Sequence, residues 1–264
     1  SVMVIDDGRP RSRYSEASHG LLSRDGSNPV VILRTAREQL SAYPPVHFCS
    51  GSAVAAGTGS VGFAVQLAGG DRFAARKLIL AFGLRDTLPA IPGFEERWGT
   101  TVLHCPYCHG FELRDRELGV LYRTPMSLHQ AMLVAEWGPT TLFMNGIEDL
   151  DRDAAAQLAH RGVKIEAAKV TGLSTDNDNR STATLSNGQV HSIDAMYISP
   201  QSSLASPIAE QMGCAIEEGP LGPIVSTNAD RMTSVAGVYA VGDIARAPHS
   251  VSWAVADGVT AATA

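Results

Sequence analysis

Short apolar runs alternate with amphipathic stretches along this chain. Val2-Met3-Val4-Ile5 is a β-rich run ending at Asp6-Asp7-Gly8, which reads as a buried parallel strand and the turn after it. Apolar positions over 30–43 recur at helical spacing and stop before Pro44-Pro45, where a helix cannot continue. Residues 61–67 and 75–81 read as strands separated by the turn Gly69-Gly70-Asp71. Residues 88–93, Leu-Pro-Ala-Ile-Pro-Gly, have the composition of an interdomain linker.

A second alternating unit follows. Strands over 118–121 and 140–144 flank a helix over 126–137, and a short helix over 154–160 precedes a strand over 163–167. Further strands are expected over 182–185 and 195–198, after a polar turn over 174–178. The tail carries apolar runs at 222–225 and 237–241, the latter ending in Gly242-Asp243, then an Ala-rich helix from Val251. Strands alternating with helices predict an α/β architecture with parallel sheets.

Composition narrows the function. At 264 residues, 44% hydrophobic and 18% charged, the chain has material for one large core or two smaller ones. No apolar run approaches the roughly 20 residues of a membrane span, and nothing at Ser1 reads as a secretory leader. Lys plus Arg number 21 against 27 Asp plus Glu, a net charge of −6 without a basic block, which argues against nucleic acid. Four cysteines in this length do not make a disulfide-stapled secreted scaffold. Cys49 and Cys214 stand alone and read as packed thiols, and a reducing, cytoplasmic setting is expected.

The chemistry sits in His104-Cys105-Pro106-Tyr107-Cys108-His109-Gly110. Two cysteines separated by two residues can close a small disulfide when placed at a helix start, where amide dipoles favour a thiolate. That thiolate is the nucleophile of disulfide exchange. The rival reading is half of a zinc site, but zinc needs two further ligands and no second close Cys pair exists in the sequence; structural thiols are the third. Gly237-Val238-Tyr239-Ala240-Val241-Gly242-Asp243 is an apolar strand ending in Gly-Asp, either a dinucleotide-contacting turn, where glycine admits close approach, or a plain buried strand and turn. Asp6 ends its strand as a ribose-binding acid does, and equally as turn chemistry does.

Taken together, these motifs resemble the low-molecular-weight thioredoxin reductases. The resemblance is to the actinobacterial and fungal branch carrying Cys-Pro-Tyr-Cys-His-Gly-(Phe/Tyr)-Glu, here Cys105 to Glu112, which includes oxidases closing disulfides in gliotoxin- and holomycin-type metabolites. Asp6-Asp7-Gly8-Arg9-Pro10-Arg11, with Ser18-His19-Gly20 and Arg24-Asp25-Gly26, is similar to the second strand and flavin-contacting loop. Ala81-Phe82-Gly83-Leu84-Arg85 is similar to the crossover. The resemblance implies an α/β fold of two doubly wound dinucleotide-binding-type domains, the second inserted into the first. It places an FAD domain over 1–88 and 200–264 and an NAD(P)H-type domain with the Cys pair over 89–199. It further implies FAD contacts at Asp6, Arg11, His19, Gly20, Gly83, Gly242, Asp243 and Gly258. Cys108 would face the flavin, Cys105 would attack the substrate, and His109 would carry the proton, a role suited to a pKa near 6.5. His109 read alone is equally a surface residue at a helix start. The implied partner is a thioredoxin-like protein or a small-molecule dithiol or disulfide, and the implied assembly a homodimer.

Two departures stand against the family pattern. No Gly-x-Gly-x-x-Gly occurs near the N-terminus, so the first strand, phosphate-binding turn and first helix, about 20–25 residues, are expected to be missing from this sequence, and FAD is expected to bind it poorly. The nicotinamide turn is also degenerate. Tyr122-Arg123-Thr124-Pro125-Met126-Ser127 fills its glycine positions, and Glu148-Asp149 lies where a 2′-phosphate would need cations. NADPH is therefore a doubtful cofactor. The reading is an FAD-dependent thiol–disulfide oxidoreductase with an impaired nicotinamide site. A dithiol oxidase using dioxygen is the alternative; a non-catalytic flavoprotein-like module is a further one, disfavoured by the intact Cys pair.

Overall fold

The computed structural model describes residues 1–176 and 180–264. The chain forms two compact units, one of residues 1–13, 20–87 and 201–264, the other of 14–19 and 88–200.

The second unit is built on a five-stranded sheet in the order Lys164–Glu166, Thr140–Phe143, Leu118–Leu121, Ala195–Ile198, Val102–Leu103, with every pair parallel. Leu118–Leu121 and Ala195–Ile198 are buried at every residue, which is why their sequences are unbroken apolar runs. One face packs on the helices Met126–Val134 and Arg152–His160, through Val120, Leu142, Ala131, Val134 and Leu158. The other, through Phe143 and Met196, packs on Leu173, Ala183 and Leu185 of the strands Val170–Thr175 and Ser181–Leu185, which with Val190–Ile193 form an antiparallel meander. The parallel expectation did not include this meander. Its second connection holds Asn187-Gly188, with Gly188 at φ 86°, a short reversal that joins antiparallel strands and cannot join parallel ones. Of the expected polar turn over 174–178, Ser174 and Thr175 belong to a strand, and Asn177 and Asp178 lie outside the described residues.

The first unit contains two parallel pairs, Val2–Asp6 with Val46–Ser50 and Leu78–Leu80 with Val238–Ala240. The stretch 75–81 is not one strand. Arg72–Ala75 ends a meander with Ala53–Thr58 and Phe63–Leu67, whereas Leu78–Leu80 joins Val238–Ala240. Between them the chain changes partner at Arg76-Lys77, where Lys77 Nζ sits over the Tyr239 ring at 5.3 Å. Leu84–Thr87 and Gln201–Leu204 pair antiparallel. The helix Pro29–Ser41 starts at Asn28, whose side chain accepts from Val30 N, and Val251–Thr263 starts at Ser250, which accepts from Trp253 N. Among the described residues no helix is long and apolar enough to cross a membrane.

One buried carboxylate fixes the last helix. Asp257 is 1% exposed, accepts from Gly242 N at 3.2 Å and from Arg246 at 2.9 and 2.5 Å, and lies 2.8 Å from Arg231 Nε. Burial pushes its carboxyl up, but Arg246, the Gly242 amide and the charge of Arg231 outweigh that and hold it below the usual aspartate value. A depressed pKa contributes stability above the unfolded value, about 3.9, that is lost as pH falls through the folded one. Asp257→Ala should therefore lower unfolding free energy by about 3–5 kcal/mol at neutral pH, because two arginines lose a buried partner, with a smaller loss in acid. Urea titrations at neutral and acid pH measure both, and an unchanged neutral midpoint would contradict the assignment.

Candidate active site

The strand Val102–Leu103 ends at His104, and Cys105 then serves as N-cap of a one-turn helix, Pro106–His109, with Pro106 at its first position. Cys108 N and His109 N both donate to the Cys105 carbonyl, at 3.2 and 3.3 Å, which folds the two cysteines onto each other. Their sulfurs are 2.7 Å apart, within a small rotation of a closed disulfide. Cys105 makes no side-chain capping bond, and four residues of helix supply little dipole. The helix-start argument made from the sequence is thus weak in the folded protein.

Gly110 ends the motif because of a close approach. A Cβ there would overlap Trp137 Nε1 and the Pro106 carbonyl. Trp137 then meets the Phe111 ring edge-on at 6.5 Å. Tyr107, between the cysteines, is exposed. Gln130, buried on the helix Met126–Val134, ties the motif down, its Nε2 donating to the His104 carbonyl at 2.7 Å and the Ile198 carbonyl at 3.3 Å.

His109 is mostly withdrawn from solvent. Burial pushes its pKa below 6.5, opposed by the Glu112 carboxylate and aided by His19. His19, expected in the flavin-contacting loop, pairs with Glu112, Nε2 to Oε1 at 2.8 Å, inside the unit that carries Cys105 and Cys108. Sequence reasoning assigned no role to Glu112 or Gln130. Gln130 was visible as the lone amide of its helix, among Ser127, His129 and apolar residues.

The other expected cofactor residues lie in the first unit. Arg11 donates through Nε and Nη2 to both Asp86 oxygens, at 2.7 and 2.6 Å, and through Nη1 to Asp243 at 2.9 Å. Gly242 has φ 73°, Gly83 φ 71° and Gly20 φ 77°, the backbone form that favours glycine. Gly258 follows Asp257 on the last helix. Asp6 accepts from Gly8 N at 2.9 Å and pairs with Arg37. A cleft of about 390 Å³ opens there, lined by Asp6, Gly8, Arg37, Ser50 and Ser52 among others. It lies at the carboxyl ends of two parallel strands, where open α/β sheets take nucleotides. These residues fit the adenosine end of a flavin dinucleotide: an acid for ribose hydroxyls, a cation, and small residues where the ligand must come close.

The turn after Leu118–Leu121 has a different character. Ser127, fully buried, accepts from Arg123 N at 3.0 Å and Thr124 N at 3.4 Å. The Arg123 side chain donates across to the Ser199 carbonyl at 3.0 Å, between the ends of two neighbouring strands of the sheet. Glu148 and Asp149 are exposed beyond Thr140–Phe143. Among the described residues no group of three or more His, Cys, Asp or Glu side chains could hold a metal ion.

The His109 environment gives a pH prediction. A neutral imidazole accepts protons, so a base of depressed pKa works above that value and fails as pH falls through it. The acid limb of the exchange rate should lie below pH 6.5. In Glu112→Gln, which removes the charge favouring imidazolium, the limb should move to still lower pH. Rate–pH profiles of both proteins check this; a shift upward would contradict it.

A profile of the pyridine nucleotide-disulphide oxidoreductase family matches residues 46–258. The chain is 29% identical to thioredoxin reductase sirT of Leptosphaeria maculans, over 99% of this chain and 84% of that one. Among solved structures, an oxidoreductase from Agrobacterium tumefaciens is 39% identical with a TM-score of 0.93, covering 99% of this chain and 87% of that one. HlmI is 33% identical with a TM-score of 0.91, covering 99% and 82%. The chain belongs to the pyridine nucleotide-disulphide oxidoreductase family, as an FAD-dependent disulfide oxidoreductase of the thioredoxin-reductase-like kind.

Proposed function

We propose that Cys105 and Cys108 are the couple through which this oxidoreductase exchanges electrons with an external dithiol or disulfide. The carrying observation is the two sulfurs 2.7 Å apart on one helical turn, beside a half-buried imidazole. In the reducing direction the Cys105 thiolate attacks a substrate disulfide, making a mixed disulfide and expelling one substrate thiolate, which takes the proton that His109 carries. Cys108 then attacks the Cys105 sulfur, releasing the second thiol and closing the pair. Bound FAD supplies two-electron exchange with Cys108. Asp6, the glycines Gly20, Gly83, Gly242 and Gly258, and the Arg11–Asp243 pair are the residues that hold it.

The partner is a thioredoxin-like protein or a small-molecule dithiol or disulfide; the name of the Leptosphaeria maculans relative, thioredoxin reductase, supports that class. The reading includes a homodimer in a reducing, cytoplasmic setting, in keeping with only four cysteines in 264 residues.

NADPH is a poor donor on this reading. The amides that a pyrophosphate would need at Arg123 and Thr124 already donate to Ser127, and Arg123 spans the crevice to Ser199. The same features bear on a second reading, in which a substrate dithiol reduces the Cys105–Cys108 disulfide, becoming a disulfide itself, and bound FAD would pass the two electrons on to dioxygen.

Cys105→Ser should abolish disulfide exchange and leave the flavin spectrum intact, and Cys108→Ser should remove any thiolate–flavin charge-transfer absorbance. Full turnover by either variant excludes the couple. In anaerobic stopped-flow, a small dithiol should bleach the flavin absorbance much faster than NADPH. Rapid bleaching by micromolar NADPH would return the enzyme to the ordinary nicotinamide-driven reductases.

A further inference from the structure

The parallel ladder between Val102–Leu103 and Ala195–Ile198 stops at the pair Leu103 and Tyr197. One step further along the two strands stand His104 and Ile198, and a single side chain joins their carbonyls instead. Gln130, 7% exposed on the helix Met126–Val134, donates through Nε2 to the His104 carbonyl at 2.7 Å and to the Ile198 carbonyl at 3.3 Å. A carbonyl only accepts, so the sense of the amide is fixed. Its Oε1 is left to accept from Ser199 Oγ at 3.4 Å.

The His104 carbonyl shares a peptide plane with the Cys105 amide. Gln130 therefore holds the plane by which the chain enters Cys105. The plane by which it leaves is held as well. The Cys105 carbonyl accepts from Cys108 N at 3.2 Å and from His109 N at 3.3 Å, and Pro106 confines ψ of the residue before it. A residue's two flanking planes define its φ and ψ, and these define where its Cβ points. Cys105 stands at φ −103° and ψ 113°, with ψ set by Pro106 and the helical turn, and φ by Gln130. At that setting its sulfur faces that of Cys108.

We propose that Gln130 is a positioning residue for the redox pair: by fixing the peptide plane that enters Cys105, it supplies in advance part of the backbone order that closing the Cys105–Cys108 disulfide requires, and so favours the disulfide over the dithiol. This rests on the Cys105–Cys108 couple being the redox pair. Without the amide, rotation about the N–Cα bond of Cys105 is freed in the dithiol and lost again when the sulfurs join. Freeing one of a residue's two dihedrals should change the equilibrium roughly fivefold.

The test uses the full chain with FAD, equilibrated without oxygen in buffers of reduced and oxidised glutathione. Samples are quenched in acid, alkylated and read by peptide mass for the Cys105–Cys108 disulfide. In that exchange one oxidised glutathione takes both hydrogens of the pair and leaves as two thiols. In Gln130→Met, which keeps the volume and removes the bonds, the constant for disulfide formation should fall roughly fivefold, raising the potential by about 20 mV. A side chain that only stabilises the fold would lower the melting temperature and leave that constant unmoved. Gln130→Glu keeps the size, and its carboxyl can donate only when protonated. Its constant, taken relative to wild type at the same pH, should therefore recover as pH falls. A Gln130→Met constant equal to that of wild type, or a Gln130→Glu ratio that ignores pH, overturns the positioning role alone. Absence of a Cys105–Cys108 disulfide in wild type at every glutathione ratio overturns the redox pair itself.

Discussion

A sheet whose strands all run the same way must return by a crossover after each strand, so all its carboxyl ends gather on one edge. The chemistry of the second unit follows from that constraint. The redox turn leaves Val102–Leu103, the Ser127 turn leaves Leu118–Leu121, and Ser199 leaves Ala195–Ile198, from neighbouring parallel strands. The strand Ala195–Ile198 carries Tyr197 as a packed residue, and Gln130 then bonds the His104 and Ile198 carbonyls to a single amide.

The two dinucleotide-type turns have gone different ways. Around Asp6 the chain keeps an open cleft, with glycine at Gly8 and Gly51 and the Asp6 carboxylate held by Gly8 N and Arg37. At Arg123 and Thr124 the chain completes its own hydrogen bonds through Ser127. Donors already satisfied by a buried side chain offer a phosphate nothing without first breaking those bonds, whereas unsatisfied ones gain on binding.

The parts legible in the sequence were those whose signal is local. Leu118–Leu121 and Ala195–Ile198 are buried on both faces and read as continuous apolar runs, and the spacing of Cys105 and Cys108 depends on one turn of chain. Val46–Ser50 and Ala53–Thr58 escaped because His-Phe-Cys-Ser and Ala-Val-Ala-Ala-Gly-Thr carry neither alternation nor strong β-formers throughout; their pairing partners make them strands. The break at Arg76-Lys77 hid inside a run that looked like one strand. At the site, the missed groups come from distant segments. His19 reaches Glu112, Gln130 reaches His104, and Asp257 reaches Arg231, and no short window of sequence contains both ends of such a pair. Besides Gln130, Asp257 in an Ala-rich helix was a visible hint, a charge where the pattern calls for a core residue.

Arg11 has a consequence for the order in which the protein is made. Its guanidinium joins Asp86, 75 residues on, and Asp243, 232 residues on. The strand Leu78–Leu80 likewise waits for Val238–Ala240. On the ribosome residues 20–87 emerge without residues 201–264, which complete their core, while residues 88–200 hold all five strands of their own parallel sheet before residue 201 is added. Loop closure across so long an insertion is slow, and early contacts cannot offset its entropy until the last residues arrive. The unit that carries Cys105 and Cys108 is thus the one able to fold first during synthesis, and the unit split by the insertion is completed later, with its half-formed sheets exposed to other chains in the interval.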